Sequence, residues 1–224
     1  MVELLKLNQS VIIKPNRGAG GKGVFLVKYV NDNFVNSNNK EISYDELYKN
    51  VIKLDDYIIT PLVEQADYAN KLYDKTTNTI RIISIFDDNK VEVPLAVHRI
   101  GTKESIPADN AARGGLFSFV NIETGELSYA LNYSTNKPID HHPDSNTKIT
   151  GTIIPGWKKL KDEVTSIHYK FPYIPFMAWD IVITKQGWTV LEINASTDLE
   201  MFQMFKPQKH TKLGNFYRKM KVIK

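Results

Sequence analysis

Val11-Ile12-Ile13-Lys14-Pro15, followed by Arg17-Gly18-Ala19-Gly20-Gly21-Lys22-Gly23-Val24-Phe25-Leu26-Val27, is the stretch on which the fold turns. A β-branched run ends on a lysine, a glycine loop follows, and a second β-rich run begins. Gly18, Gly20 and Gly23 satisfy G-x-G-x-x-G, but that pattern marks a dinucleotide site only where the loop opens a helix. Val24 to Tyr29 is β-branched and aromatic, so the loop joins two strands as a flap. Nor is it a Walker loop, because Lys22 is followed by Gly23 and not by Ser or Thr. A glycine hairpin can lay backbone N–H groups on phosphate oxygens without side-chain interference, with Lys14 adding a point charge. Taken alone, an ordinary glycine-rich turn explains the stretch equally well.

The distal end of the chain shifts that balance. Phe176 to Thr184 and Gly187 to Asn194 read as two strands joined by a turn at Lys185-Gln186-Gly187. Each is apolar yet carries an acid, Asp180 in the first and Glu192 in the second. A carboxylate in such a strand is costly unless it is paired or bound to a metal. Glu192 and Asn194, two apart, share a face of an extended strand. Asp180 can join them, giving two carboxylates and an amide oxygen, a hard donor set suited to Mg²⁺ or Mn²⁺. Either acid alone reads more simply as a turn cap or a partner of nearby Lys and Arg.

A lysine before a glycine flap, with a late D…E-x-N on adjacent strands, resembles the ATP-grasp superfamily. Asn78-Thr79-Ile80-Arg81-Ile82, Arg99-Ile100-Gly101, Asp109-Asn110 with Gly114-Gly115, His142-Pro143-Asp144, and Gly151 with Ile154-Pro155-Gly156-Trp157 resemble its sugar-transfer-associated, α-L-glutamate ligase-like branch. The resemblance runs from about Ser10 to about Thr197. It implies an α+β fold with two lobes of mostly antiparallel sheet clasping ATP, and a role in bacterial surface (capsular) polysaccharide biosynthesis. Relatives usually carry a further domain before the first flap strand. Here that strand begins within the first dozen residues, so the expectation is that this domain is absent or supplied by a partner.

Composition is compatible with this. At 224 residues and 42% hydrophobic, the chain can build one substantial core or two small lobes sharing a cleft. Without cysteine, disulfides, thiolate catalysis and cysteine-based zinc sites are excluded. No apolar run approaches the ~20 residues of a membrane span, and Met1-Val2-Glu3-Leu4-Leu5-Lys6 lacks a signal-peptide pattern, so a cytoplasmic protein is expected. The net charge is +4 with a pI near 9.0, the excess falling on Lys206, Lys209, Lys212, Arg218, Lys219, Lys221 and Lys224. Such a tail can touch nucleic acid or an anionic lipid surface, but a solvated terminal helix is the commoner reading, and no nucleic-acid partner is expected.

Along the chain, asparagine-rich Asn31 to Lys40 reads as a loop, and Ser43-Tyr44-Asp45-Glu46 as a capping box opening a helix toward Leu54. Tyr57 to Glu64 reads as a strand with Pro61 at an edge or hinge. Residues 1–66 then form a small lobe with the flap, and 67–224 a large lobe with the metal site and basic tail. Strands are expected near Thr79 to Phe86, Val91 to Arg99, Phe117 to Asn121 and Leu127 to Tyr129, with a turn at Glu123 to Glu126. A helix is expected over Trp157 to His168.

The resemblance distributes roles. Lys14, Gly18, Gly20, Gly21, Lys22 and Gly23 would contact ATP phosphates. Backbone groups of Leu62 and Val63 would read adenine, and Glu64 or Asp67 would hold the ribose, although Gln65 stands where many relatives place an acid. Arg81 and Arg99 would serve the acyl-phosphate intermediate, with Lys103 an outside candidate, and Asp180, Glu192 and Asn194 would hold Mg²⁺ or Mn²⁺. Asp109, Asn110, Arg113 and Gly114 would bind the acceptor, though a plain turn explains them almost as well. His141 and His142 do not share a face, so the His141–Asp144 loop is expected to shape the acceptor pocket and not to bind metal. The implied reaction is ATP-dependent ligation of a small-molecule acid and amine, one of them sugar-linked, with a homo-oligomer among the expected assemblies. A kinase reading fails for want of H-R-D and D-F-G, while a non-catalytic ATP-binding module is the standing alternative.

Overall fold

The computed structural model describes residues 2–17, 23–37, 40–53 and 55–224. The chain opens with helix α1 (Val2–Asn8), then β1 (Ser10–Pro15), β2 (Phe25–Val30), β3 (Asn33–Asn36) and β4 (Glu41–Ile42), followed by α2 (Tyr44–Ile52) and β5 (Tyr57–Pro61). These strands form one sheet in the order β4-β3-β2-β1-β5, antiparallel throughout. Alternation in β1 splits its residues cleanly: Val11 and Ile13 are buried, whereas Ile12 and Lys14 face the other way. On the buried side they meet Leu5 of α1, Val27 and Leu47 of α2. Ser43 caps α2, its hydroxyl accepting from the Glu46 amide at 3.1 Å. The helix ends at Ile52, short of Leu54, which lies outside the described residues.

Two elements differ from expectation. The loop predicted over Asn31 to Lys40 contains β3, because Asn31 and Asp32 both adopt positive φ (49° and 64°) and turn the chain tightly back on β2. Phe34 then pairs with Tyr29 and packs against the small core. Helix α1 is the second, anchored by fully buried Leu5.

After residues 62–66 come α3 (Asp67–Leu72), β6 (Ile80–Asp87), β7 (Lys90–Ile100), β8 (Leu116–Val120), β9 (Leu127–Leu131), α4 (Trp157–Tyr169), β10 (Phe176–Thr184), β11 (Gly187–Asn194), α5 (Glu200–Gln203) and α6 (Lys212–Lys219). The six strands form a second antiparallel sheet, β11-β10-β6-β7-β8-β9. On one face, Ile80, Ile82, Ala96, Trp179 and Ile181 pack against Trp157, Leu160 and Val164 of α4. On the other, Ile83, Leu95, Val97 and Ala178 pack against Met201, Phe202, Leu213 and Phe216. Covered on both faces, β10 is buried from Phe176 to Ile183. Helices α5 and α6 close the second face at one end, while Arg81, Arg99 and Asp180 stand on that face toward the other. The small sheet roofs this second end, its side chains sharing a cavity with theirs.

The crossing between sheets is clamped. Gln65 is buried and bridges to Thr184, and the Ala66 amide donates to the Ile183 carbonyl at 2.8 Å. The Gln65 Nε2 donates to the carbonyls of Tyr73 and Thr76, while its Oε1 accepts from the Asn78 amide at 2.8 Å. An acid at this position would lose these donations and a further one to Asn70 Oδ1, so a carboxamide fits here and a carboxylate does not. The architecture is α+β, two antiparallel sheets facing across a cleft.

Candidate functional site

Between the sheets lies a cavity of about 300 Å³. The small sheet lines it with Ile12, Lys14 and Val24, the crossing with Leu62 and Val63, and the large sheet with Thr79, Arg81, Arg99, Asp180, Leu191 and Glu192. The cationic end of β1 and the acidic pair of β10 and β11 therefore face one another across a single gap.

Register explains the deep wall. Asp180 pairs with Arg81 on one side and with Glu192 on the other, so all three share a face. Arg99, whose amide donates to Thr79, joins them from β7. Arg81 grips Asp180 bidentately, Nε to Oδ1 and Nη2 to Oδ2 at 2.8 Å, and its Nη1 donates to the Thr197 hydroxyl. The Arg99 Nη2 lies 3.0 Å from Asp180 Oδ2 and its Nε donates to Thr79 Oγ1 at 2.8 Å. That hydroxyl and the Thr79 amide both donate to Asp109 Oδ2, at 2.5 and 2.7 Å, and this oxygen stands 3.7 Å from Arg99 Nε. Two arginines and two aspartates thus form one largely buried, linked array.

At Asp180 and Arg99, opposite charge outweighs burial. Burial alone would push the Asp180 carboxyl up, but Arg99 and then Arg81 overcome it and hold the group below the ordinary carboxylate range. Burial likewise works against the Arg99 cation, but Asp109, Asp180 and Glu192 raise it above its usual value. His98, directly behind Arg99, is pushed down to about 4 by burial.

β11 does not alternate simply. Asp180 pairs with Glu192 but Ile181 pairs with Val190, which leaves Leu191 as a bulge. The bulge turns Leu191 and Glu192, adjacent in sequence, into the same cavity. An apolar Leu191 then complements Ile12 and Val24 as walls for a flat ring, beside a carboxylate.

For a hard cation, Asp180, Glu192 and Asn194 offer oxygen chemistry of the right kind. Glu192 is exposed, and Asn194 Nδ2 donates to Glu192 Oε1 at 3.1 Å, while both Asp180 oxygens face arginines. Among the described residues, no group of three or more His, Asp or Glu side chains is arranged to hold a metal ion. A fit therefore rests on Glu192 first, with the Asn194 carboxamide and Asp180 beside it.

The remaining expected residues divide between the cavity and other places. Gly18, Gly20, Gly21 and Lys22 lie outside the described residues. Gly23 (φ 75°) does not line the cavity, although Val24 does. Glu64 is exposed away from the lining, and Asp67 begins α3 facing Lys185 at 3.7 Å. The Leu62 amide donates to the Ser10 carbonyl at 3.1 Å, so only its carbonyl is left for the expected contact with a base. Asp109 and Asn110 line the cavity, but Asp109 acts through Thr79 on Arg99. Asn110 caps the short turn Ala111–Arg113, accepting from the Ala112 amide at 2.9 Å. Arg113 is exposed on that turn and Gly114 ends it at φ 92°, neither lining the cavity. Lys103 is exposed and faces Asp144 at 3.8 Å.

The His141–Asp144 loop does not shape the pocket. His142 is buried, bonded through Nε2 to the Gly101 carbonyl at 2.7 Å and stacked on Tyr73 with ring centroids 4.9 Å apart. It is a core histidine that ties the end of β7 to the end of α3. Conversely, Ile12, Thr79, Leu191 and Thr197 belong to the site without having been expected there. For Ile12 the signal was its position two residues before Lys14 on an alternating strand.

The profile of the family described as sugar-transfer associated ATP-grasp matches residues 3–214. No curated protein sequence matches the chain. Among solved structures, the ATP-grasp ligase PsnB complexed with minimal precursor, Mg and ADP is similar, at 12% identity and TM-score 0.44, over 90% of this chain and 42% of that one. D-alanyl-alanine synthetase A from Vibrio cholerae O1 biovar eltor is similar at 11% identity and TM-score 0.49, over 97% and 52%. The D-alanine–D-alanine ligase from Bacillus anthracis matches at 14% and TM-score 0.41, over 99% and 52%. The chain thus spans about half or less of the length of these proteins.

Proposed function

The chain belongs to the sugar-transfer-associated ATP-grasp family, and from that premise we propose that it is an ATP-dependent carboxylate–amine ligase acting on a sugar-linked substrate in surface polysaccharide assembly. The observation that carries the reading is the shared cavity: Lys14 from one sheet and Arg81, Arg99, Asp180 and Glu192 from the other line the same space.

In this reading adenine lies between Ile12, Val24 and Leu191, and the polyphosphate runs toward Lys14 and Glu192. A substrate carboxylate oxygen forms a bond to the γ-phosphorus, ADP leaves, and an acyl phosphate results. An amine then attacks the acyl carbon, expelling phosphate and losing a proton to give an amide. Lys14, Arg81 and Arg99 are fixed cations facing the oxygens on which charge accumulates. Asp180 and Asp109 keep the two arginines aimed, so little reorganisation is needed as that charge develops. A Mg²⁺ ion held by Glu192, Asn194 and Asp180 would neutralise the phosphates and polarise the γ-phosphoryl group. Lys14, Glu192 and the flap also fit a module that binds ATP without turning it over.

The test is phosphate release and product mass in the presence of Mg²⁺-ATP with panels of uronic acids, nucleotide sugars and amino acids. Glu192→Gln is expected to abolish turnover and weaken Mg²⁺-ATP binding with the fold intact, since Glu192 is exposed. Wild-type activity in that variant removes Glu192 from the site, and tight Mg²⁺-ATP binding without any product favours the non-catalytic module.

A further inference from the structure

The basic C-terminal segment and the α4–β10 loop have no part in the cavity, yet they meet at one end of the large sheet. Phe176, the first residue of β10, places its ring 5.9 Å from that of Tyr217 in α6. Just before it, the Pro175 carbonyl accepts from the Phe86 amide at 2.9 Å, anchoring the loop to the tip of β6. From the other side Lys219 reaches the same tip, pairing with Asp87 and Asp88. Past α6 the chain folds back, the Val222 amide donating to the Tyr217 carbonyl at 2.9 Å. The two segments therefore flank a single edge, and both are held in place.

What they present there is unusual for a surface. Tyr173 is 75% exposed, with Tyr169 and Phe171 exposed on the same segment, and Val222 is 64% exposed, with Met220 and Ile223 exposed on the other. Lys170 is exposed on the first segment and Lys221 and Lys224 on the second, and Asp87 and Asp88, at this tip, are already met by Lys219. Exposed aromatics and aliphatics with lysines between them in sequence, on two segments held at one tip, match a bilayer interface. There the rings sit at headgroup level, aliphatic side chains enter the acyl boundary, and ammonium groups meet anionic headgroups. Nucleic acid would use the rings and lysines but has nothing to offer Val222, Met220 and Ile223.

We infer that this end of the large sheet is a docking surface for an anionic lipid bilayer, on which the chain rests without crossing. Its placement away from the cleft leaves the cavity open while the protein is bound. No helix among the described residues is long and apolar enough to cross, so attachment is peripheral and reversible.

The experiment is co-sedimentation of the full chain with phosphatidylcholine vesicles containing phosphatidylserine, against vesicles of phosphatidylcholine alone, at low and high salt. Binding to the anionic vesicles is expected, weakened by salt. Lys221→Ala with Lys224→Ala should weaken it by roughly 5-fold per lysine. Phe171→Ser with Tyr173→Ser should weaken it further at both salt concentrations, with thermal unfolding and Mg²⁺-ATP binding unchanged in every variant. Equal affinity for neutral vesicles, no sedimentation with either, or displacement from anionic vesicles by RNA at the same salt would each overturn the inference.

Discussion

His98 is buried with no solvent to share its proton. Its Nδ1 lies 3.0 Å from the Arg99 carbonyl, which can only accept, so Nδ1 carries the hydrogen and Nε2 accepts from the Tyr68 hydroxyl at 3.0 Å. The ring is therefore neutral, and burial lowers it to about 4, against about 6.5 in an unfolded chain. The unfolded chain takes up the proton first, so this contribution to stability is complete above about pH 6.5 and is lost as pH falls toward the folded value. His142 and His168 are lowered by burial too and act in the same direction. Urea unfolding is expected to show a loss of about 2 kcal/mol between pH 7 and pH 5, with a shallower slope in His98→Gln. A flat profile would mean that the buried imidazole takes up its proton as readily as in the unfolded chain. Single residues of this kind are the least legible in sequence. His98, Thr79 and Asp109 are ordinary polar residues until pairing sets them around Arg99, and nothing in the sequence shows that Asp109, expected as an acceptor contact, also braces that arginine.

Elements were legible where composition and alternation agreed. Phe176 to Thr184 and Gly187 to Asn194 carry long apolar runs around a glycine turn, and both strands form over those residues. β3 was hidden because its flanks are asparagines, which read as loop, although Asn31 and Asp32 serve as the positive-φ corner of a hairpin. The bulge at Leu191 was hidden for another reason: it exists only in the pairing with β10, and alternation within β11 alone puts Leu191 on the wrong side. The end of β7 shows how tightly such junctions are drawn. A Cβ on Gly101 would come within 2.1 Å of Thr76 Oγ1 and 2.8 Å of its Cβ, while the Gly101 amide donates to Asn78 Oδ1 at 3.0 Å. Gly101→Ala should therefore destabilise the protein by about 1–3 kcal/mol, read as a lowered melting temperature without nucleotide. An unchanged melting temperature would show that residues 73–78 yield freely.

At the scale of the whole molecule, the two sheets are joined through residues 62–66 and share one cavity, whose ligand should couple them. A ligand that binds only the folded form stabilises it by about 2.7 kcal/mol at a hundred times its dissociation constant. Mg²⁺-ATP is thus expected to raise the melting temperature of the wild type. Lys14→Ala should melt as the wild type does without nucleotide yet lose most of that rise, because Lys14 lines the cavity and is not in the small core. A lower melting temperature without nucleotide would make Lys14 a structural residue. The cavity's own electrical balance carries a consequence for how a ligand arrives. Of the described side chains that line it, Lys14, Arg81 and Arg99 are offset by Asp109, Asp180 and Glu192. Seen from beyond a Debye length, such a mouth is nearly silent. Any pull that a polyanion feels from afar therefore comes from the rest of the chain, whose net charge is +4, and the lining cations act on it only at close range.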